Sequence, residues 1–195
     1  MIKQKKVGSI LNKFIPQGST IGIIGGGQLG QMMALDAKQT GMKVIILDPT
    51  PNCPAGQVAD EQIVAPYADT KAIEKLADKA DVLTYEFENV DLDALEDVQD
   101  RVYLPQGTNL LSTTKNRLRE KNFLRQAGVK TAPFMAVHTS AELKDAVKKI
   151  GYPAVLKTSE GGYDGHGQEV LRNKDDLDKC APILATGDCI LEGWV

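Results

Sequence analysis

The sequence predicts an α/β fold in two modules, an open parallel sheet followed by a smaller α+β unit. In the first half, short apolar runs alternate with helical patterns from Thr20 to about residue 104. This alternation is typical of a parallel sheet covered by helices. It stops near Gly107, and in the second half two apolar runs flank a glycine-rich tip, which predicts an antiparallel pair of strands.

The first module begins with a strand, a glycine turn, a helix and a second strand. Residues 20–24 form a β-branched apolar run, a helix extends from Leu29 to near Gly41, and residues 43–47 form the next strand. Consecutive strands joined by a helix run parallel, with a right-handed crossover. Further strands are predicted at 62–65, 81–85 and 102–104, and further helices at 70–80 and 92–98.

The second module is predicted to open with one helix over residues 112–127, with Ser112 as its N-cap and Gly128 as its stop. The later elements are strands at 134–137, 154–157, 169–171 and 189–192 and helices at 143–150 and 175–184. The predicted domains are a leader at 1–19, a parallel-sheet domain at 20–108 and an α+β domain at 109–195. Apolar residues at helical spacing in the leader indicate a short helix packed on the body; they are Val7, Ile10, Leu11 and Phe14.

Composition excludes several classes of protein. The 195 residues include 23 basic and 26 acidic side chains, a formal charge of −3. The chain therefore has no general attraction for nucleic acid or an anionic membrane, and any phosphate site must be local. No apolar run approaches the length of a membrane span. The three cysteines, Cys53, Cys180 and Cys189, are far apart, which favours reduced thiols in a cytoplasmic protein over disulfides or a zinc site.

The first glycine turn matches the dinucleotide-binding fingerprint. Gly25-x-Gly27-x-x-Gly30 joins a strand to a helix, and Asp48 ends the next strand, where a dinucleotide fold places its ribose-binding acid. Glycines let the backbone approach an anion, and a helix N-terminus offers unpaired N–H groups. The pattern favours contact with a small anionic ligand over a turn that needs only tight packing, and it favours both over NAD.

A second glycine-rich loop follows Lys157, which ends an apolar strand. Four of the eleven residues at 158–168 are glycines. Such a hairpin tip can fold over phosphates and donate backbone N–H groups, while the lysine supplies positive charge. The Walker pattern is absent, and the alternative is a surface hairpin without a ligand.

The order of four motifs resembles the N5-carboxyaminoimidazole ribonucleotide synthetase family, ATP-grasp enzymes of purine biosynthesis. The motifs are Gly25-Gly-Gly-Gln-Leu-Gly30, Tyr85-Glu-Phe-Glu-Asn-Val90, Lys157-Thr-Ser-Glu-Gly-Gly-Tyr-Asp-Gly-His-Gly-Gln168 and Glu192-x-x-Val195. The resemblance covers nearly the whole chain from Thr20 onward. It implies a Rossmann-like pre-ATP-grasp domain followed by the first subdomain of an ATP-grasp fold, which is truncated here.

The resemblance implies a carboxylation reaction. ATP phosphorylates bicarbonate, and the resulting carboxyphosphate, or the carbon dioxide that it releases, carboxylates the exocyclic amine of 5-aminoimidazole ribonucleotide. The products are the N5-carboxy nucleotide, ADP and phosphate. The implied partners are these small molecules, with no nucleic acid and no membrane, and a homodimer is implied for the full-length protein.

The resemblance also implies a set of site residues. Arg117 and Lys157 are expected at the ATP phosphates, with Lys157 and Tyr163 as the catalytic residues. The expected contacts to the aminoimidazole nucleotide are Gly27, Gln28, Leu29 and Glu86. The other expected ATP-binding positions are the lid residues Gly162, Tyr163, Asp164, Gly165, His166, Gly167 and Gln168 and the strand-end residues Glu192, Gly193, Trp194 and Val195.

Members of this family have much longer chains, and the Mg²⁺ expected in the full-length enzyme would take its ligands from the absent part. We find no metal ligand here and expect the 195 residues alone not to catalyse the reaction. Three alternatives stay open. They are another ATP-grasp ligase such as formate-dependent glycinamide ribonucleotide transformylase, a NAD(P)-dependent oxidoreductase built on the first glycine turn, and a non-enzymatic nucleotide-binding fragment.

Overall fold

A computed structural model describes residues 14–162 and 166–195 of the chain. The chain divides into two compact units, which meet in sequence between Leu111 and Ser112. Most of the predicted leader lies outside the described residues. In the described part, no helix is both long and apolar enough to cross a membrane.

Unit one is built on four parallel strands, β1 (Thr20–Ile24), β2 (Lys43–Asp48), β3 (Glu61–Val64) and β4 (Val82–Tyr85), in the order β3-β2-β1-β4. The parallel pairing of β1 and β2 was predicted, and the structure confirms it. Both faces of this sheet are covered. Ile24 and Leu47 pack into one apolar cluster, whereas Ile23 and Ile46 pack into another. Burial on both faces explains why the strands are continuous apolar runs rather than alternating ones.

The helices of unit one are α1 (Gln28–Gln39), α2 (Thr70–Lys79) and α3 (Leu92–Val98). Asp69 and Asp91 cap α2 and α3 with their side chains, which accept hydrogen bonds from backbone N–H groups of the first turns. The prediction of a strand at 102–104 was wrong. Only a single parallel bridge joins Tyr103 to Val82, because the chain turns immediately afterwards, with Gly107 N–H bonded to Leu104 C=O.

Unit two is built on an antiparallel sheet of β5 (Phe134–Val137), β6 (Ala154–Thr158), β7 (Gln168–Leu171) and β8 (Cys189–Gly193), in the order β5-β8-β6-β7. The antiparallel pairing across the second glycine loop confirms the prediction. Helix α6 (Ser140–Ile150) contributes Leu143 and Val147 to the core on one face of this sheet. The three cysteines are free, buried thiols.

The single helix predicted at 112–127 was wrong. The structure has α4 (Asn109–Thr114) and α5 (Arg117–Gln126), separated at Asn116. Asn116 adopts an extended backbone, and its side chain accepts hydrogen bonds from the N–H groups of Leu118 and Arg119. Asn116 therefore caps α5, because a short polar side chain can satisfy the unpaired donors of a new helix.

The helix predicted at 175–184 is also divided. It consists of a 3₁₀ helix (Lys174–Cys180) followed by α7 (Ala181–Leu184). Pro182 lies in the first turn of α7. Proline lacks the N–H that would continue the preceding turn but fits the first turn of a new helix, which accounts for the break.

Candidate functional site

The first glycine turn brings the residues predicted to bind the substrate together in unit one. Gly27 is the N-cap residue of α1, and Gln28 and Leu29 form the first turn of that helix. Glu86 directly follows β4, and its side chain lies over the turn. A Cβ atom at Gly25 would be 2.3 Å from Glu86 Cγ, and one at Gly27 would be 3.4 Å from Glu86 Oε1. A carboxylate therefore borders the glycine turn at the N-terminus of α1.

The backbone conformation of Gly25 and the close packing at Gly30 both require glycine in this turn. Gly25 has a φ of 111°, in the region that glycine tolerates best. A Cβ atom at Gly30 would be 2.2 Å from the carbonyl oxygen of Gly25. The glycines of the fingerprint thus fold the turn back onto the start of α1.

Asp48 holds this turn from the end of β2. It is 5% exposed, and its carboxylate accepts hydrogen bonds from Gly26 N–H (2.8 Å), Thr50 N–H (2.8 Å) and the Tyr67 hydroxyl (2.5 Å). Burial raises the pKa of Asp48, but the bonds from Tyr67, Thr50 and Gly26 outweigh it and leave the pKa below its usual value. Asp48 therefore fastens the first glycine turn to the end of β2, and the ribose-binding role that the fingerprint suggests stays a prediction.

The second glycine loop lies in unit two, where Lys157 meets Glu192. Lys157 Nζ is 3.0 Å from Glu192 Oε2 on the neighbouring strand β8. Glu192 is 7% exposed. Lys121 on α5 approaches the same oxygen, at 3.3 Å. Lys157 and Glu192 were predicted from the sequence. Lys121 was not, although its position four residues after Arg117 places both on one face of a helix.

Arg117 binds the stem of the glycine loop through three hydrogen bonds. Its guanidinium donates to Thr158 C=O (2.9 Å) and Gly162 C=O (2.6 Å), and its backbone N–H donates to Ser159 C=O (2.9 Å). Arg117 therefore fixes the strand that leads from Lys157 into the loop. Its predicted contact with ATP phosphates stays a prediction.

The same stem is held by a second set of contacts that the sequence reasoning missed. The Glu160 carboxylate accepts a hydrogen bond from Asn116 Nδ2 (2.9 Å) and lies 3.0 Å from Arg119 Nη2. The bond from Asn116 is the main reason that the pKa of Glu160 is lowered. Glu160 lies within the Lys157–Gln168 motif, but its role could not be predicted because its partners lie more than forty residues earlier in the sequence.

A cavity of about 550 Å³ lies at the base of the loop. Thr158 and Ser159 line it, and the hydroxyl oxygen of each is buried without a hydrogen-bond partner in the described part of the chain. The loop closes tightly here: Thr158 N–H donates to Gly167 C=O (2.9 Å), and a Cβ atom at Gly162 would be 2.7 Å from His166 C=O. Gly167 has a φ of 70°, and a Cβ atom there would be 2.9 Å from Thr158 Oγ1, so both positions favour glycine.

The other predicted ATP-binding positions are distributed around β7 and β8. Gln168 begins β7, and Gly193 ends β8 and donates to Pro133 C=O (2.8 Å). Trp194 lines a second cavity, of about 310 Å³, with Pro153, Val170 and Arg172. Val195 is exposed. The positions that lie outside the described residues are Tyr163, Asp164 and Gly165.

The described residues contain no group of three or more His, Cys, Asp or Glu side chains arranged to hold a metal ion. We therefore assign no Mg²⁺ ligand.

Two family models match the chain, one in each half. The ribonucleotide synthetase preATP-grasp domain matches residues 18–113, and the ATP-grasp domain matches residues 122–195. The N5-carboxyaminoimidazole ribonucleotide synthase of Bacillus subtilis is 52% identical over 183 residues, which is 94% of this chain. The chain belongs to the N5-carboxyaminoimidazole ribonucleotide synthase family of ATP-grasp enzymes.

Solved structures of the family agree with this assignment. The Staphylococcus aureus N5-carboxyaminoimidazole synthetase in complex with ADP superimposes with a TM-score of 0.89 at 43% identity, covering 93% of this chain and 48% of that one. The Aspergillus clavatus synthase in complex with ADP and 5-aminoimidazole ribonucleotide gives a TM-score of 0.83 at 30% identity, covering 92% and 47%. The chain spans about half the length of the curated relatives that it matches, 48% of the B. subtilis protein.

Proposed function

We propose that this chain is the N-terminal portion of an ATP-dependent carboxylase. In the complete protein, bicarbonate and ATP would convert 5-aminoimidazole ribonucleotide to N5-carboxyaminoimidazole ribonucleotide, ADP and phosphate, a step of purine biosynthesis. The observation that carries the proposal is the position of Lys157. It stands directly before a glycine loop, its ammonium lies against Glu192 of the next strand, and Arg117 holds the loop stem.

Unit two would bind ATP. Lys157 and Arg117 would meet the phosphates, and residues 162–168 would close over them. Glu192 and the residues after it would line the ribose and adenine, with Trp194 beside a cavity. A closing loop suits this chemistry because carboxyphosphate is rapidly lost to water.

Unit one would bind the aminoimidazole nucleotide. Its phosphate and ribose would approach the glycine turn at Gly27, Gln28 and Leu29, where backbone N–H groups and the start of α1 attract an anion. Glu86, which lies over this turn, would face the nucleotide.

The chemistry has two steps. A bicarbonate oxygen attacks the γ-phosphorus of ATP, and ADP leaves. The exocyclic amine then attacks the carboxyl carbon of carboxyphosphate and expels phosphate, or it attacks carbon dioxide that carboxyphosphate has released together with phosphate. In either route the amine nitrogen loses a proton. Charge builds up on the transferred phosphoryl group, and Lys157, with Tyr163 as the second proposed catalytic residue, would stabilise it. Mg²⁺ supplies further positive charge at the phosphates when it is bound.

Ligand-dependent thermal stabilisation tests this proposal on the chain itself. We expect ATP and ADP to raise the melting temperature and NAD(P) to leave it unchanged, because only a ligand of the folded state stabilises it. We expect 5-aminoimidazole ribonucleotide to stabilise the chain more than glycinamide ribonucleotide, and Glu86→Gln to reduce that difference. Stabilisation by NAD(P) alone would favour the oxidoreductase, and a preference for glycinamide ribonucleotide would favour the transformylase.

We also propose that these 195 residues alone do not catalyse the reaction, since they span about half of the relatives' length. Steady release of phosphate that depends on both ATP and 5-aminoimidazole ribonucleotide would contradict this.

For the complete protein we propose a cytoplasmic homodimer. The three free, buried thiols support the cytoplasm, and light scattering of the complete protein would test the dimer.

A further inference from the structure

One carboxylate oxygen in unit two is shared by two lysines. Glu192 Oε2 lies 3.0 Å from Lys157 Nζ and 3.3 Å from Lys121 Nζ. The Glu192 side chain is 9% exposed, and the lysine side chains are 28% and 20% exposed. All three charges are thus largely withdrawn from water, where a pair is screened less than at the surface.

Helix α5 holds Lys121 in this position. Arg117, Lys121 and Arg125 are spaced four residues apart, so they lie along one face of the helix. Arg117 is tied to the loop stem, and the Arg125 guanidinium lies 4.1 Å from the ring centre of Phe134, which pairs with Glu192 across β5 and β8. Contacts on both sides of Lys121 therefore hold its backbone beside Glu192.

The second lysine removes a competition for charge, because Glu192 and a bound phosphate would otherwise both need Lys157. A buried carboxylate needs a partner, and Lys157 alone would be neutralised by Glu192. A phosphate would then compete with Glu192 for the only cation of the pair. With Lys121 present, two lysines and one glutamate leave one net positive charge, and Glu192 stays paired when Lys157 turns to a phosphate.

We propose that Lys121 is a positioning residue for nucleotide binding: it neutralises Glu192 so that Lys157 can give its charge to a nucleotide phosphate. This rests on the proposed function, because it requires that unit two binds a nucleoside polyphosphate.

The test is the affinity for ADP of the chain and its variants, measured by titration calorimetry or by fluorescence of Trp194, the only tryptophan in the sequence. We expect Lys121→Met to weaken binding by about tenfold, the scale of one charge pair in a partly buried site, and Lys121→Arg to restore affinity to within about twofold. Lys148→Met, which removes an exposed lysine paired with Asp145 on α6, serves as a matched control and should bind as the wild type does.

A Glu192→Gln background separates an effect through Glu192 from a direct effect of the Lys121 charge. In that background, Lys121→Met should not weaken ADP binding further, because the carboxylate that Lys121 neutralises is gone. A tenfold loss that persists in the Glu192→Gln background would overturn the proposal, as would equal affinities of wild type and Lys121→Met. If Lys121→Met alone does not fold, the ADP affinities of Glu192→Gln and of the double variant still test the proposal. Absence of ADP binding by the wild type would instead overturn the proposed function and this inference with it.

Discussion

The Asp48 carboxylate accepts three hydrogen bonds and links the end of β2 to the first glycine turn. Two of its donors are backbone N–H groups, of Gly26 and Thr50, which Asn could satisfy only in part because its amide NH₂ accepts no hydrogen bond. The side chain therefore acts on the shape of the turn that unit one presents to its proposed ligand.

Replacement of Asp48 by Asn should lower the free energy of unfolding at neutral pH. It should also make that free energy depend less on pH below neutrality. The folded-state pKa of Asp48 is lowered, so its contribution is present above the usual value of 3.8 and is lost as pH falls through the folded-state pKa. The gap in free energy of unfolding between wild type and Asp48→Asn should narrow below about pH 4. Urea unfolding between pH 7 and pH 3 measures this.

The matched control is Asp36→Asn on the exposed side of α1, which should follow the wild type at every pH. A gap between wild type and Asp48→Asn that stays constant down to pH 3 would show that the charge of Asp48 contributes nothing to stability.

At this scale, functional positions inside motifs were predicted from the sequence, whereas contacts that depend on a distant partner were missed. Lys157 was predicted from its strand and the glycines after it, and Glu86 from the motif at the end of β4. Lys121 and Glu160 were missed because their partners lie in other elements, and only the fold brings them together. Asp48 was noticed, but its hydrogen bonds to Gly26 and Tyr67 could not be read from spacing.

At the scale of elements, helix α5 holds the stem of the second glycine loop in unit two. Its first residues hold the loop stem through Arg117 and through the pairing of Asn116 and Arg119 with Glu160. The strands of both units were predicted to within about two residues, because apolar runs bounded by turn residues are strong signals. The break before α5 was missed because Asn116 looks like an interior helix residue when its cap bonds are unknown.

Asn116→Ala should destabilise the chain by about 1 kcal/mol, the usual cost of losing an N-cap. The loss should be larger than that of Asn122→Ala on the same helix, whose side chain donates to Leu118 C=O one turn earlier. Chemical denaturation measures both variants. Hydrogen exchange should speed up at the amides of Leu118 and Arg119, which Asn116 caps. Equal stabilities of the two variants would contradict the capping role.

At the scale of the molecule, the chain combines two units of different sheet type, each with its own core. The alternating pattern predicted the parallel sheet, and the hairpin around the second glycine loop predicted the antiparallel one. The glycine fingerprint by itself matches a dinucleotide site in unit one. The ATP-grasp family model, however, matches residues 122–195, which lie in unit two.

This division leads to a prediction about which residues each ligand protects. A ligand suppresses local opening where it binds, so ADP should slow amide exchange at residues 157–162 and 189–195, and 5-aminoimidazole ribonucleotide should slow it at residues 25–30 and 86. Each unit has its own core, so we expect the effect of each ligand to be strongest in its own unit. Hydrogen exchange read by mass spectrometry measures both patterns, with NAD(P) as the control that should protect neither. Protection of residues 25–30 by ADP would reverse the assignment, because the first glycine turn would then be the ATP site and Lys157 would need another ligand.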